Sequence, residues 1–499
     1  MTPPSNSSLL RALHFYRANF VAIIVLSALI IVPCFWHRRI ESGDLPSHTY
    51  NAWLAQLIRQ GRAPGLYLAS RWNNILFDLL LLHSAKLFGF IAGPKIVVAL
   101  CSLLFFWGVF SFLAELSERP PWLLTPCIAM LTYGFTFNMG FFNNYLSIAL
   151  ACCGLALLWK PQSWDRLAAL PLFALAILAH PVGSAWFAAT LVYVLLRRFV
   201  RRKFSSAWAF AIPAAAIAIF LAVHWYLVHL AEFEVSWPDQ PFYFFNGFDQ
   251  LLLYTPRYRF VAWSLLAIFV IWIALEFFQR RARPAISAPF LLAVELYAVA
   301  FCAISLLPQD ARLSASAAWI GLLVSRLTVI SAIFGLCILS CLQPRKWASV
   351  ATLACAAFFF ALLFADTAAL NRLESHAESI TAVLPSGTRV IPTIGSPPDS
   401  RIPFIHHVVD RACIAHCFTY SNYEPSSGQF RVRARPGSPI AVASALDSQE
   451  MEAGNYVVQP TDLPLINIYQ CDPGDFTVLC MRTLKPGETT ARSGSGTEN

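Results

Sequence analysis

The sequence predicts a mainly α fold: a polytopic transmembrane helix bundle of about 11–12 spans, with a juxtamembrane helix in the first exterior loop and a small α/β or β-rich exterior domain at the carboxy-terminal end. Three observations predict it. Of 499 residues, 57% are hydrophobic and 13% charged, which is too apolar for an ordinary soluble protein. The apolar residues gather in runs close to the roughly 20 residues a bilayer needs. The formal charge of +9 sits largely in short connections between those runs, in Arg197-Arg198 with Arg201-Arg202-Lys203, in Arg280-Arg281 with Arg283, and in Arg345-Lys346. That is the positive-inside pattern rather than a nucleic-acid footprint.

The first run, 19–36, is long and lacks a small-residue cleavage site, so it reads as an uncleaved span. The stretch 41–58 behind it predicts a surface helix: Pro46 suits the first turn, Asp44 the cap before it and Gly61 the end. Tyr50, Trp53, Leu54, Leu57 and Ile58 share one face at helical spacing; His48, Ala52, Ala55 and Arg59 share another. Such a helix lies along the membrane and presents an acid and an imidazole above the bundle. Further runs follow at 74–91, 95–116, 122–138, 141–159, 167–196, 207–230, 260–278, 289–307, 317–342 and 347–365.

The run 167–196 is interrupted by His180-Pro181-Val182-Gly183, so it is either one kinked helix or a tight pair of half-length helices. Parity decides for one. A cytoplasmic amino terminus and three cytoplasmic basic clusters require an even number of crossings before Arg197, giving about eleven spans of an inner or plasma membrane. The first loop, 37–73, the connection 237–258 and everything after Asp366 are then exterior. The domains read as 1–366 for the bundle, 367–484 for the exterior domain and 485–499 for a disordered tail. This places Arg38, Arg39, Arg59, Arg62 and Arg71 outside, against the charge rule, and calls for a reason.

Beyond Asp366 strand-like stretches occur at 388–394, 429–434, 439–443, 456–459, 465–469 and 476–481. His406, His407 and Asp410 read as surface residues, since they lack further ligands at metal spacing. Of 13 cysteines, nine lie in apolar runs as small core residues; Cys413, Cys417, Cys471 and Cys480 are free to form disulfides in an exported domain, with the pairing open.

A first span, an exterior loop with an early acid in Gly43-Asp44, a surface helix, further spans and an exterior carboxy-terminal domain together resemble the GT-C superfamily of membrane glycosyltransferases, which includes protein mannosyltransferases and the aminoarabinose transferase of lipid A. The phrase Asn74-Ile75-Leu76-Phe77-Asp78, followed by Lys86-Leu87-Phe88-Gly89, looks like the second-span region of that group. The frequent acidic pair is absent here, Leu45 following Asp44. The resemblance implies a polyprenyl-phosphate sugar donor lying among the helices, and an acceptor (protein, lipid or glycan) approaching from outside. Asp44 is the general base that takes the acceptor's proton. Cations at the outer surface stabilise the departing lipid phosphate; Arg59, Arg62, Arg71 and Arg326 are the candidates. Asn74, Asp78, His48 and His180 complete the substrate-binding set. A divalent cation enters such a reaction where two acidic ligands meet, and one good ligand, Asp44, is evident.

Each residue also has a structural explanation. Asp44 serves equally as a helix cap, and His48 as a helix-surface residue. Asp78, His83 and Lys86 pair among themselves or face a cavity, Lys86 being long enough to snorkel. His180 fills the space opened by a helix break. Asn138, Asn143 and Asn144 fall in a cytoplasmic loop. Trp237, Phe242, Tyr243, Phe244, Phe245 and Phe248 form an interfacial aromatic belt before they form a flap over a sugar. A transporter or flippase of lipid-linked glycans is the alternative function; no inverted repeat supports it.

Overall fold

The computed structural model describes residues 14–15, 17–160, 163–204, 210–229, 233–237, 246–280, 287–313, 319–402, 407–472 and 475–490. Phe242 to Phe245 of the aromatic connection, Arg281, Arg283, His406 and the last nine residues lie outside them. The described chain is mostly helical and polytopic: seven helices are long and apolar enough to cross a membrane, and Phe20–Phe35 and Phe142–Leu158 are shorter apolar helices. The chain divides into two compact units. Unit 1 is Met1–Val32, Leu100–Phe137 and Phe141–Leu362; unit 2 is Pro33–Ala99, Asn138–Gly140 and Leu363–Asn499.

The helices in chain order are α1 (Phe20–Phe35), α2 (Leu45–Arg59), α3 (Leu76–Ser117), α4 (Thr125–Thr132), α5 (Phe135–Asn138), α6 (Phe142–Leu158), α7 (Ser163–Ala179) and α8 (Pro181–Lys203). They continue with α9 (Ala211–His229), α10 (Tyr258–Arg280), α11 (Ala288–Leu306), α12 (Leu323–Ser340) and α13 (Lys346–Thr381). Helix α9 buries no residue fully, and one side of it packs on α11, where His224 Nδ1 meets the Leu306 carbonyl at 2.9 Å. In unit 1 the buried Arg197 of α8 pairs with Glu295 of α11, Nη2 to Oε1 at 2.8 Å. One member of a basic cluster is thereby a helix-to-helix tie.

Three expected spans come out differently. The run 167–196 is two helices, α7 and α8, because Pro181 forces the residue before it out of helical geometry: His180 is extended, with φ −163° and ψ 139°. The run 122–138 is broken into a 3₁₀ turn at Trp122–Leu124, α4 and α5. The backbone N–H of Thr136, freed at that break, is taken up by the Gln250 side chain at 3.1 Å. The stretch 74–91 is the first part of one long helix, α3, that continues to Ser117. Helix α3 bends at Gly89 (φ 77°), and Gly93 packs so close to Ala85 that an added Cβ would lie 2.7 Å from its backbone. Lys95 Nζ then donates to the His37 carbonyl at 2.6 Å, two residues past the end of α1, so the chain between them starts and finishes at one level.

Unit 2 carries a four-stranded sheet in the order β6-β5-β8-β9, formed by Phe418–Thr419, Arg389–Thr393, Ile466–Asp472 and Asp475–Thr483. A separate ribbon pairs β1 (Leu66–Leu68) with β7 (Val432–Ala434), so the first loop and the carboxy-terminal segment fold together. The stretches 439–443 and 456–459 are not strands, although Val442 N–H still donates to Tyr420 O. Residues 485–490, expected to be part of a disordered tail, are tied in: Thr490 N–H donates to Tyr456 O, and Val458 N–H to Glu488 O. Disulfides join Cys413 to Cys417 and Cys471 to Cys480.

Part of the exterior basic excess is explained here. Arg411 donates to Glu374 (Nε to Oε1, 2.6 Å) and approaches Glu41 (3.3 Å); Arg39 lies 3.4 Å from Glu374 and also pairs with Glu378. All except Glu378 are buried. Burial first, then the adjacent Glu374, pushes the Glu41 carboxyl well above its ordinary range. Arg411→Ala leaves Glu374 and Glu41 facing each other without their shared cation. Thermal unfolding of the purified protein should show a loss of about 3–5 kcal/mol.

Candidate functional site

The site is built on the start of α2 in unit 2. Two glycine turns interlock there: Gly43 N–H donates to Asn138 O (2.7 Å) and Asp44 N–H to Met139 O (3.0 Å). Gly140 has φ +82°, and a Cβ on it would sit 2.5 Å from the Asp44 nitrogen; one on Gly43 would sit 2.5 Å from the Met139 oxygen. Only glycine permits that approach and that dihedral. Asn138 ends the short helix α5, and its carbonyl is half of the clamp on Asp44. Asn143 and Asn144 are buried in the first turn of α6, in unit 1.

Asp44 occupies the N-cap position of α2, yet its side chain makes no capping bond. The cap explanation therefore fails for this carboxylate, which is half-buried and unengaged by any hydrogen bond or ion pair among the described residues. Helix α2 also differs from the expected half-exposed surface helix. Both of its faces are covered by protein, with Trp53 stacked on Phe418 (5.6 Å between centroids) and the His48 face against Glu424. Its end at Gly61 (φ 69°) is as expected.

Below Asp44 lies a layer of acids and imidazoles. His48 Nδ1 stands 3.0 Å from Asp78 Oδ1 and 3.3 Å from Glu424 Oε1, and its ring is packed edge-on to Phe77 and Phe430. Burial opposes charge on this ring, but Asp78, then Glu424 and more weakly Asp44 overcome it and raise its pKa to about 10. Glu424 is pushed up to about 8, by burial first, with His48 pulling down and Asp78 and Asp44 pushing up. At neutral pH His48 is an imidazolium and Glu424 holds a proton. Ser47 Oγ donates to Glu424 Oε1 at 3.3 Å.

A second imidazole-acid pair continues the layer. His407 Nδ1 and Asp410 Oδ2 are 3.0 Å apart, and Asn422 Nδ2 donates to the same oxygen at 3.1 Å. Asn51 Nδ2 donates to Asn422 Oδ1 at 3.1 Å, returning the network to α2. His407 rises to about 9 despite burial, because of Asp410; Glu452 rises to about 7, by burial above all. His407 and Asp410, expected at the surface, are buried; Glu424, Asn422 and Glu452 were not singled out in the sequence at all. The signal was weak. Glu424 stands in Asn422-Tyr423-Glu424-Pro425, whose asparagine caps a five-residue helix, Tyr423–Ser427, and nothing local points 376 residues back to His48.

The other expected residues disperse. Arg71 Nη2 donates to the Gly428 carbonyl at 2.7 Å, and none of its contacts reaches Asp44. Burial and then Arg433 lower its pKa. Arg59 is exposed at the end of α2, Arg62 is exposed beyond it, and Asn74 adopts φ 54° ahead of α3. Asp78 pairs with His48 rather than with His83 or Lys86; His83 Nδ1 meets Leu79 O, and Lys86 is exposed. His180 and Arg326 belong to unit 1, where they meet each other: Arg326 Nη1 is 3.2 Å from His180 Nε2, and its guanidinium lies 4.3 Å from the Phe141 ring centroid. The same imidazole also faces Val182 N–H through Nδ1 at 3.2 Å. A neutral ring accepts at one nitrogen, and the charged guanidinium is the stronger claimant.

Among the described residues no group of three His, Cys, Asp or Glu side chains is spaced to hold a metal ion. Unit 1 also contains an apolar cavity of about 220 Å³, lined by Leu131, Phe248, Leu265, Phe269, Tyr297 and Leu339.

No family model and no curated protein matches this sequence. Two solved structures are similar to it, those of ArnT from Cupriavidus metallidurans in the apo state and bound to undecaprenyl phosphate. Identity is 15% and 14%, with 91% of this chain and 93% of each of those covered, and TM-scores of 0.48 and 0.45. No residue role is taken from either.

The raised pKa values of His48 and Glu424 set a pH window. The His48 ion pairs stabilise fully below its unfolded value near 6.5 and are lost as pH rises through about 10. The protonated Glu424 contributes below about 4.5 and is lost through about 8. Stability of unit 2 should therefore fall as pH rises from about 4.5 to 10, the Glu424 part being lost by about 8 and the His48 part between about 6.5 and 10. Asp78→Asn removes the carboxylate nearest His48, and the alkaline limb of a thermal-unfolding series should move down by roughly one to three pH units.

Proposed function

We propose that this chain is a GT-C-like membrane glycosyltransferase. It moves a sugar from a polyprenyl-phosphate donor to an acceptor on the exterior face, with Asp44 as general base. The observation that carries the reading is the Asp44 carboxylate itself. It is unengaged and half-exposed, fixed by two glycine turns eight residues past the first apolar helix, and backed by an imidazolium whose own partners are elsewhere. A base must hold a free lone pair at a fixed position, and a carboxylate committed to a cap does not.

The reaction then runs on this chain's groups. The acceptor hydroxyl approaches Asp44, which takes its proton as the oxygen attacks the anomeric carbon; the bond from that carbon to the donor's phosphate oxygen breaks, and the lipid phosphate leaves with the electron pair. His48 holds the acidic layer in a single protonation state beneath Asp44. Arg71 is the cation we assign to the departing phosphate, with Arg59 as its exposed neighbour. The apolar cavity of unit 1 is the right chemistry for a hydrocarbon chain. Asp78 and Glu424 are paired with His48.

The membrane sidedness belongs to the same proposal. We place the amino terminus in the cytoplasm, with Asp44 and the disulfide-bearing segment exterior. Asp44→Asn, reconstituted with a polyprenyl-phosphate sugar and an acceptor extract, should lose about 10²–10⁴-fold in transfer rate while keeping its unfolding temperature. Unchanged transfer would remove Asp44 from the role. Glycolipid translocation across vesicles by both proteins, with no transfer by either, would favour the flippase class.

A further inference from the structure

A second cavity, remote in composition from the acid-imidazole layer, lies wholly within unit 2. It measures about 440 Å³ and is lined by Arg38, Arg39, Lys95 and Arg411, with the single carboxylate of Glu378 and an apolar edge of Phe90, Ile91 and Pro94. We propose that it binds the phosphate headgroup of an anionic phospholipid, with the acyl chains running over the bend of α3. The proposal is independent of the transferase reading.

Charge and shape both argue for it. Arg39 and Arg411 are balanced from behind by Glu374 and Glu41, and Arg38 reaches Glu378 at 3.4 Å. Lys95 has a carbonyl as its hydrogen-bond partner, His37 O at 2.6 Å, and its ammonium lies 5.8 Å from the Phe35 ring centroid; neither neutralises it. Because burial favours the protonated Glu41 carboxyl, the cluster has a further shortfall of negative charge. A cavity walled by four cations and one accessible acid is thus net positive, and a phosphate monoanion or diester satisfies it with charge-assisted hydrogen bonds.

The position makes the phosphate a lipid's rather than a solute's. Lys95 stands level with the exit of α1, where a membrane span meets headgroups. At the bend next to the cavity, Leu87, Phe88 and Ile91 are 74%, 56% and 49% exposed, an apolar rim suited to acyl chains rather than to water.

The test uses the full-length protein, stripped of lipid in a neutral detergent, with bound lipid counted by native mass spectrometry and stability followed by thermal unfolding. Phosphatidylglycerol should bind and stabilise where phosphatidylcholine does not. Arg38→Gln and Lys95→Gln should each weaken phosphatidylglycerol binding roughly fivefold, the expected value of one cation at a charged surface. The Arg38 side chain is 58% exposed, so its variant stays folded even if the Lys95 variant does not. Equal binding of the two lipids, or full retention by Arg38→Gln, would overturn the proposal. Stabilisation by inorganic phosphate to the level given by phosphatidylglycerol would assign the cavity to a free anion and overturn the lipid.

Discussion

An imidazolium held between the Asp78 carboxylate and the Glu424 carboxyl ties unit 2 together. His48 comes from α2, Asp78 from the start of α3 and Glu424 from a short helix 376 residues downstream in the chain, and each would be costly to bury without the other two. The first loop thereby depends on the carboxy-terminal segment for a satisfied interior. The ribbon of β1 with β7 and the Arg411 ties to Glu41 and Glu374 repeat this joining at two more points. The unit is a discontinuous body built from a loop, a glycine turn and a tail.

This construction separates two jobs that acids do in the same few ångströms. Asp78 and Glu424 are spent on structure, holding a cation; Asp410 is spent on His407 and Asn422. Asp44 acts electrostatically on His48 and Glu424, but no hydrogen bond or ion pair joins its side chain to them. Its position comes from backbone bonds to Asn138 and Met139, which leave its side chain uncommitted. A carboxylate that contributes little to stability and is nonetheless held in one place is the arrangement expected of a reacting group.

Much of the basic charge of unit 2 is balanced by pairing within it. Arg38 and Arg39 face Glu378 and Glu374, and Arg411 faces Glu374 and Glu41. A charge rule counts residues without partners, so a loop whose arginines are neutralised by a segment over three hundred residues away looks anomalous until the contacts are known. Lys95 and the cavity beside it are the part of that excess which pairing leaves over.

Much was legible from composition and periodicity. Long apolar runs dictate helices whatever their partners, because an unsatisfied backbone in lipid is prohibitive, and so α6 and α9 to α13 fall where the runs are. Pro46 and Gly61 bound α2 by local backbone chemistry, and Gly43-Asp44 after the first span marked the residue on which the site is built. Tertiary structure alone decided the rest. Where α3 bends depended on Gly89 and on Gly93 packing against Ala85; whether Asp44 caps α2 or stays free depended on a glycine turn at 138–140; and Glu424, Asp410 and His407 became site residues only when burial turned them into partners of His48 and Asn422. Local sequence sets which backbone shapes are cheap, but the protonation and engagement of a buried side chain are fixed by neighbours that the chain brings from far away.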